Sequence, residues 1–446
     1  MSFAITRVRA PSPEPGFTRV RALVALLAGT LAAFAACADS DASAASAWEA
    51  SVDTIADTVV VRTTSGSVWG DTMVLVPEVE IGVLEGAPEL IFGNIASFGV
   101  DARGRMWLMD RHVPELRVFE PDGAYAMTVG RPGEGPGEFK GPDGGLAILS
   151  DGRVLVRDPA NARIQVFSPA GEALETWQIR GNFNTSNPLW KDRVDNVYTQ
   201  ILVDPEADLG DWQMGLVQYR PDGTTGDTLV APESDWEAPF VEGRAEGNTS
   251  RNRIPFSPRE SQFLHPDGYF VFGVSEDYRF SVLRDADSGE LPVRVERAWE
   301  PVPVAGGEAS EARERITRNM RRSFPGWRWN GPDIPETKAA YRELFPGEDG
   351  RIWVLVSVPS VEVEDPLHDP ADPNSVPDTW EEPAAFDVFE PDGRFLGHVK
   401  APPGFGVSPH PRFEGEHVWA VARGDFDVQR FVRYRMVPAG EPEGDG

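Results

Sequence analysis

The side chains able to do chemistry are few and dispersed. Across 446 residues there are six histidines (His112, His265, His368, His398, His410 and His417) and one cysteine, Cys37. No histidines stand in an H-E-x-x-H spacing, which would put two imidazoles on one helix face for zinc. A Gly-x-Ser-x-Gly nucleophile elbow is absent as well. Gly133-x-Gly135-x-Gly137 precedes a strand instead of opening a helix, so it reads as a loop between repeats and not as a dinucleotide fingerprint. Two local compositions stand out. Arg321–Gly331 (RRSFPGWRWNG) offers Arg321, Arg322 and Arg328 to an anionic ligand and Trp327 and Trp329 for stacking. The same residues could equally pair with the protein's own carboxylates and pack on its surface. The acidic, proline-rich Glu362–Glu382 could gather oxygen ligands for calcium, the one cofactor the sequence suggests. Without EF-hand spacing it reads first as a solvated, inserted hairpin loop. No catalytic residue and no dedicated metal site is assigned.

Charge narrows the partners. With 42 basic against 71 acidic side chains the net charge is −29, which excludes nucleic acid because phosphate binding needs a basic footprint. One cysteine excludes a disulfide framework within the chain.

The elements that must position these residues follow a repeat. Ser97–Met127 and Leu146–Thr176 align as strand, turn at Gly104 or Gly152, strand, Asp110 or Asp158, strand, turn at Gly123 or Gly171, and strand. Period-two alternation between Asp-Gly and Pro-Asp-Gly turns marks short antiparallel strands. The two aspartates recur at equivalent places, which suits turn-capping carboxylates better than catalytic ones. Asn161 and Arg163 are read in the same way, while His112 and Arg157 could face a channel. The punctuation recurs, more weakly, at 194–223, 265–289, 347–397 and 414–437, making six units. The last unit lacks a fourth strand, and strand-like runs in 57–82 have no unit of their own. The expectation is an all-β, six-bladed β-propeller of four-stranded antiparallel blades over residues 51–440, with an N-terminal strand closing the last blade. Residues 441–446 read as a disordered tail.

Gly306–Pro346 interrupts the strand pattern as a helical insertion between the fourth and fifth units. Glu308, Glu311 and Glu314 precede Arg318, Arg321 and Arg322, and Ile316, Met320 and Phe324 form one apolar stripe. A second helix is expected from Pro335, with Asp333 as N-cap, Glu336 in a capping box, and Tyr341, Leu344 and Phe345 on its apolar side.

The N-terminus carries an export signal. Arg7, Arg9, Arg19 and Arg21 precede an uncharged apolar run, Ala22–Ala36, that is short for a permanent membrane span. Phe34-Ala35-Ala36-Cys37 resembles the bacterial lipoprotein signal, with Phe34 where leucine is usual. The resemblance implies that residues 1–36 are removed, that Cys37 is lipidated, and that 37–50 is a flexible tether. Ala38 is not the aspartate that retains some lipoproteins in the inner membrane, so either membrane remains open.

Gly130–Glu172 (GRPGEGPGEFKGPDGGLAILSDGRVLVRDPANARIQVFSPAGE) resembles the NHL-type propeller repeat in its glycine-rich linker, its strand before Asp-Gly, and Asp158, Asn161, Arg163 and IQVF. Similar proteins include bacterial lipoproteins, protein- or RNA-binding modules, and a few lyases and lactonases. The expected function is a monomeric, lipid-anchored binding or scaffolding protein of the cell envelope, with an envelope protein, glycan or small molecule as partner. The alternative is a hydrolase or lyase with a metal or carboxylate site at the channel mouth.

Overall fold

The computed structural model describes residues 7–8, 47–180, 187–204, 206, 213–230, 232, 234–245, 247–284, 289–365, 368–369, 371–372 and 375–440. Cys37, all of the signal segment except Arg7–Val8, and the tail at 441–446 lie outside them. The chain is all-β, built from successive up-and-down groups of short strands.

The first group is Ile95–Val100, Met106–Asp110, Glu115–Phe119 and Tyr125–Val129, and the second is Leu146–Ile148, Val154–Asp158, Arg163–Phe167 and Ala173–Gln178. Each is an antiparallel sheet in sequence order. Their first turns need a left-handed residue, and Gly104 and Gly152 supply it at φ +79° and +86°. The third group runs from Trp190–Lys191 to Thr225–Val230, and the fourth from Glu260–Leu264 to Val293–Arg297. The fifth comprises Tyr341–Pro346, Ile352–Val356, Ala385–Phe389 and Phe395–Lys400, and the sixth Arg412–Glu414, His417–Arg423 and Gln429–Pro438. Fully buried strands such as Met106–Asp110 and Ile352–Val356 have both faces covered by neighbouring groups, so their sequences are continuous apolar runs.

The N-terminal strands divide their work. Met73–Ile81 lies antiparallel to the last strand, from Phe431 opposite Ile81 to Pro438 opposite Met73, where the sixth group lacked a fourth member. Its first two residues also meet Val399 and Lys400 in parallel, joining the fifth and sixth groups into one eight-stranded sheet. Thr58–Ser65 instead extends the fourth group in parallel, and Glu49–Ile55 pairs outside it. Only part of 57–82 therefore completes the last group. The expected tether ends two residues early: the strand starts at Glu49, and the Trp48 indole donates to Thr63 Oγ1 at 3.2 Å.

Among the described residues there is one α-helix, α1 (Gly306–Ser323), and it stands where the acidic-to-basic gradient predicts it. Glu308 accepts the Ala305 N–H at 3.2 Å, and Met320 and Phe324 pack with Val241, Ile254 and Trp327. The second helix does not form. Tyr341–Pro346 is the first strand of the fifth group, with Phe345 opposite Trp353, and Asp333 is an exposed partner of Arg313. Tyr341, Leu344 and Phe345 fit either a helical stripe or a strand buried on both faces. The strand prevails because it buries Leu344 and Phe345 in two different cores. The helical insertion consequently ends before Tyr341.

Three departures from the plain meander share one end of the sheets: the hairpin Phe240–Ala245/Asn248–Arg253, the α1 segment, and the 357–384 excursion between the second and third strands of the fifth group. Connections entering a first strand and those joining second to third strands leave an up-and-down sheet at the same end. The three insertions make one cap there.

Candidate functional site

The repeated aspartates are structural. Asp110, with no exposed surface, accepts the N–H groups of Gly93 (2.9 Å), Asn94 (3.1 Å) and His112 (2.9 Å). Asp158 does the same for Lys140 (3.2 Å) and Gly141 (2.9 Å), and takes a bond from the Asn161 amide at 2.7 Å. Arg163 donates to the carbonyls of Glu134, Gly135 and Glu138 at 2.8–3.0 Å, pinning the glycine-rich linker. Arg157 does not face a channel. It is fully buried and ion-paired with Asp143. His112 is exposed beside Gly93.

The basic-aromatic loop becomes part of the cap. Trp327 is buried and donates its indole N–H to the Glu242 carbonyl at 2.8 Å. Trp329 donates to Pro332 O at 2.7 Å, and Arg313 lies over its ring at 4.4 Å. The two tryptophans meet edge to face at 6.4 Å. Arg321, Arg322 and Arg328 are exposed, and Arg321 Nε bonds the Trp327 carbonyl at 3.0 Å. The chain's own Arg313 thus takes the ring face that had been expected for a ligand.

A buried cation missed in the sequence holds the cap. Lys338, 2% exposed, bonds Glu308 (2.9 Å), Glu382 (3.0 Å), Ser360 Oγ (2.6 Å) and the Val358 carbonyl (3.2 Å). Glu311 accepts the Thr379 N–H and hydroxyl at 3.1 and 2.7 Å. Glu308 and Glu311, two carboxylates of the helix's acidic half, are therefore buried against the 357–384 excursion. Within that excursion Asp365 accepts the Asp378 N–H at 3.0 Å and Asp369 the Ala371 N–H at 2.8 Å, so both carboxylates cap turns. Among the described residues, no group of three or more His, Cys, Asp or Glu side chains is placed to hold a metal ion. Several residues of this calcium candidate lie outside the described set.

The first strands of all six groups line one cavity of about 120 Å³, from Phe98–Val100, Leu146–Ile148 and Trp190–Lys191 to Leu264, Pro346 and Arg412. It shares Trp190, Leu264, Pro346 and His410 with a second cavity of about 80 Å³, which carries Asn187, Gln200, Gln262 and Glu343. Here the tertiary structure makes a pair that the sequence did not announce. His410 Nε2 is 3.6 Å from Glu343 Oε1, and the Phe345 ring stands edge-on to the imidazole at 5.2 Å. A β-bulge between Tyr341 and Glu343 sits at this point of the strand. Burial pushes His410 down to about 4, holding it neutral. Burial raises Glu343, opposed by Arg259 and Arg342. A neutral imidazole beside a carboxyl of raised pKa can exchange a proton with a small bound molecule. The only local signal was the Pro409-His410-Pro411 run just before a first strand.

No family model matches the chain, and neither does any curated protein sequence. Solved structures similar to it include a member of the DUF4221 family from Bacteroides vulgatus (12% identity, 83% of this chain and 99% of that one, TM-score 0.47). Virginiamycin B lyase from Staphylococcus aureus is similar at 10% identity, covering 82% of this chain and 100% of its own, with TM-score 0.39. A gluconolactonase from Xanthomonas campestris is similar at 13% identity, 81% and 97% coverage, and TM-score 0.33.

Proposed function

We propose that this chain is an exported, lipid-anchored binding or scaffolding protein of the bacterial cell envelope. In this reading it is a six-bladed propeller with NHL-like repeats, anchored through Cys37, that engages an envelope protein, glycan or small molecule on its capped face. The observation that carries the reading is the size of the axial space. Cavities of about 120 and 80 Å³ fall well below the roughly 300–1,000 Å³ of small-molecule sites. The insertions instead enlarge the outer surface at one end, where loops on a rigid scaffold commonly carry recognition. The six-bladed arrangement is supported by the cavity drawing its walls from all six first strands, and by Met73–Ile81 pairing with the last strand.

Photo-crosslinking in cells tests it. A crosslinker at exposed Arg328 on the cap should capture a defined partner, and one at Asp122, in a turn at the opposite end, should not. The reverse pattern would overturn the assignment of the face. Anchoring has its own test: Cys37→Ser should move the protein from the membrane to the soluble fraction, and unchanged fractionation would refute lipidation.

The Glu343–His410 pair favours a second reading, a channel-mouth hydrolase or lyase. Turnover by the full-length protein in detergent that is lost in Glu343→Gln would install it in place of the first.

A further inference from the structure

The middle of the third strand is used differently along the chain. Arg117, Gln165 and Asp387 occupy one register position, opposite Leu108, Val156 and Val354 on the second strand and Thr128, Thr176 and His398 on the fourth. In the first two groups this side chain binds the main chain of the linker that precedes its own group. Arg117 donates to the carbonyls of Ile91 (2.5 Å) and Glu89 (3.4 Å). Gln165 accepts the Gly137 N–H at 3.1 Å and donates to the Glu138 carbonyl, serving both polar groups of an extended segment.

At the fifth group the linker is diverted. Residues after Arg297 run out to α1 and return beside themselves, with Lys338 N–H on Val302 O at 2.8 Å and Val304 N–H on Glu336 O at 2.9 Å. The position that would hold the linker opens as a groove of about 480 Å³, walled by Trp299, Val358 and Ser357 and floored by Asp387, Arg297 and His398. This volume lies within the usual range for ligand sites.

The floor is rigid. Asp387, 1% exposed, accepts from Tyr278 Oη at 2.6 Å, from His398 Nδ1 at 2.9 Å and from the Arg297 guanidinium. Burial and the Asp387 carboxylate raise the Tyr278 pKa, keeping the phenol a donor. Arg297 also lies over the Phe395 ring at 4.2 Å. With Nδ1 on the Asp387 carboxylate, a neutral imidazole presents Nε2 as an acceptor, and Nε2 has no partner among the described residues. Arg297, about a third exposed, keeps further N–H groups for the groove.

We propose that this groove binds an extended peptide segment of a partner protein, which takes the place left by the diverted linker. Arg297 donates to a peptide carbonyl and His398 Nε2 accepts a peptide N–H, together repeating what Gln165 does alone for the chain's own linker. Trp299 and Val358 cover the apolar side of the segment. The inference rests on the binding reading and names the class of partner.

The test uses the chain's own linker as probe. A synthetic Gly130–Gly141 peptide, GRPGEGPGEFKG, is titrated into the full-length protein in detergent by calorimetry, beside a scrambled control. Saturable binding with a dissociation constant below about 1 mM is expected. It should weaken at least about tenfold in Arg297→Ala and in Ser357→Trp, which fills the groove while leaving the residues of the Asp387 cluster unsubstituted. Arg103→Ala, in an exposed turn at the end opposite the cap, should leave it unchanged. Absence of saturation at millimolar peptide, or unaltered binding in a folded Ser357→Trp, would each overturn the proposal. If crosslinking at Arg328 still captures a partner while the peptide fails, the binding reading stands and this inference falls.

Discussion

The first two groups of strands and the fourth-to-fifth junction are built on the same register, yet they spend their polar side chains differently. In the first two, buried charges and amides are turned inward on the chain's own linkers: Asp110 and Asp158 on main-chain N–H groups, Arg163 and Gln165 on linker carbonyls. At the junction the linker is replaced by α1 and its surroundings, and the equivalent side chain holds three other side chains beside an open groove. A repeat whose polar side chains are spent on its own linkers is a structural unit. One whose connecting segment has been diverted has polar groups to offer a partner.

Breaking the regular half should cost most. Arg157→Ala leaves Asp143 buried with its main charge partner gone, and is expected to lower stability by about 3–5 kcal/mol, read from denaturant midpoints. A loss below about 1 kcal/mol would mean that the pair is not the internal brace described. Truncating the cap should act locally. Trp327→Ala removes a buried ring and its bond to Glu242, a loss of about 3 kcal/mol for the cap core. Hydrogen exchange should quicken across 306–334 while amides of 154–167 keep their protection. Equal loss of protection in both would erase the distinction between cap and scaffold.

The Glu343–His410 pair gives a pH-dependent effect. Native His410 stays neutral down to about 4, whereas the unfolded imidazole takes its proton near 6.5. Stability is therefore lost as pH falls through that window, by at most about 1.4 kcal/mol per pH unit. The raised Glu343 has the opposite sense, its contribution weakening as pH rises from 4.5 through its native value. His410→Leu should flatten the acid limb of a urea-midpoint profile between pH 4 and 6.5, and an unchanged limb would assign it to other groups. Smallest is Arg313→Ala, which removes a half-exposed cation from the Trp329 face and an exposed pair with Asp333. About 0.5–1 kcal/mol is expected by thermal unfolding.

What could be read from the sequence depended on how local each feature is. The turn at Gly104, the strand at Val154–Asp158, the capping by Asp158 and the helix from Gly306 need only a few neighbouring residues to specify them. Tyr341–Pro346 reads as helix in the sequence because a doubly buried strand and a helix stripe share their apolar pattern over six residues, and only the Ile352–Val356 partner decides between them. Lys338 gave no signal, because its two carboxylates lie 30 and 44 residues away in the chain.

By itself the sequence determined an all-β repeat, an interrupting helix, an acidic surface and an N-terminal segment resembling a lipoprotein signal. Local alternation, turn glycines and composition carry these without long-range contact. Tertiary structure alone decided that Trp327 and Trp329 serve the cap, that Glu343 meets His410, and that Asp387 gathers Tyr278, Arg297 and His398. The last two depend on side chains brought together from different groups of strands, and the first on two insertions meeting at one end. Such meetings are fixed by strand register and by the path of the connections, which no short stretch of residues encodes.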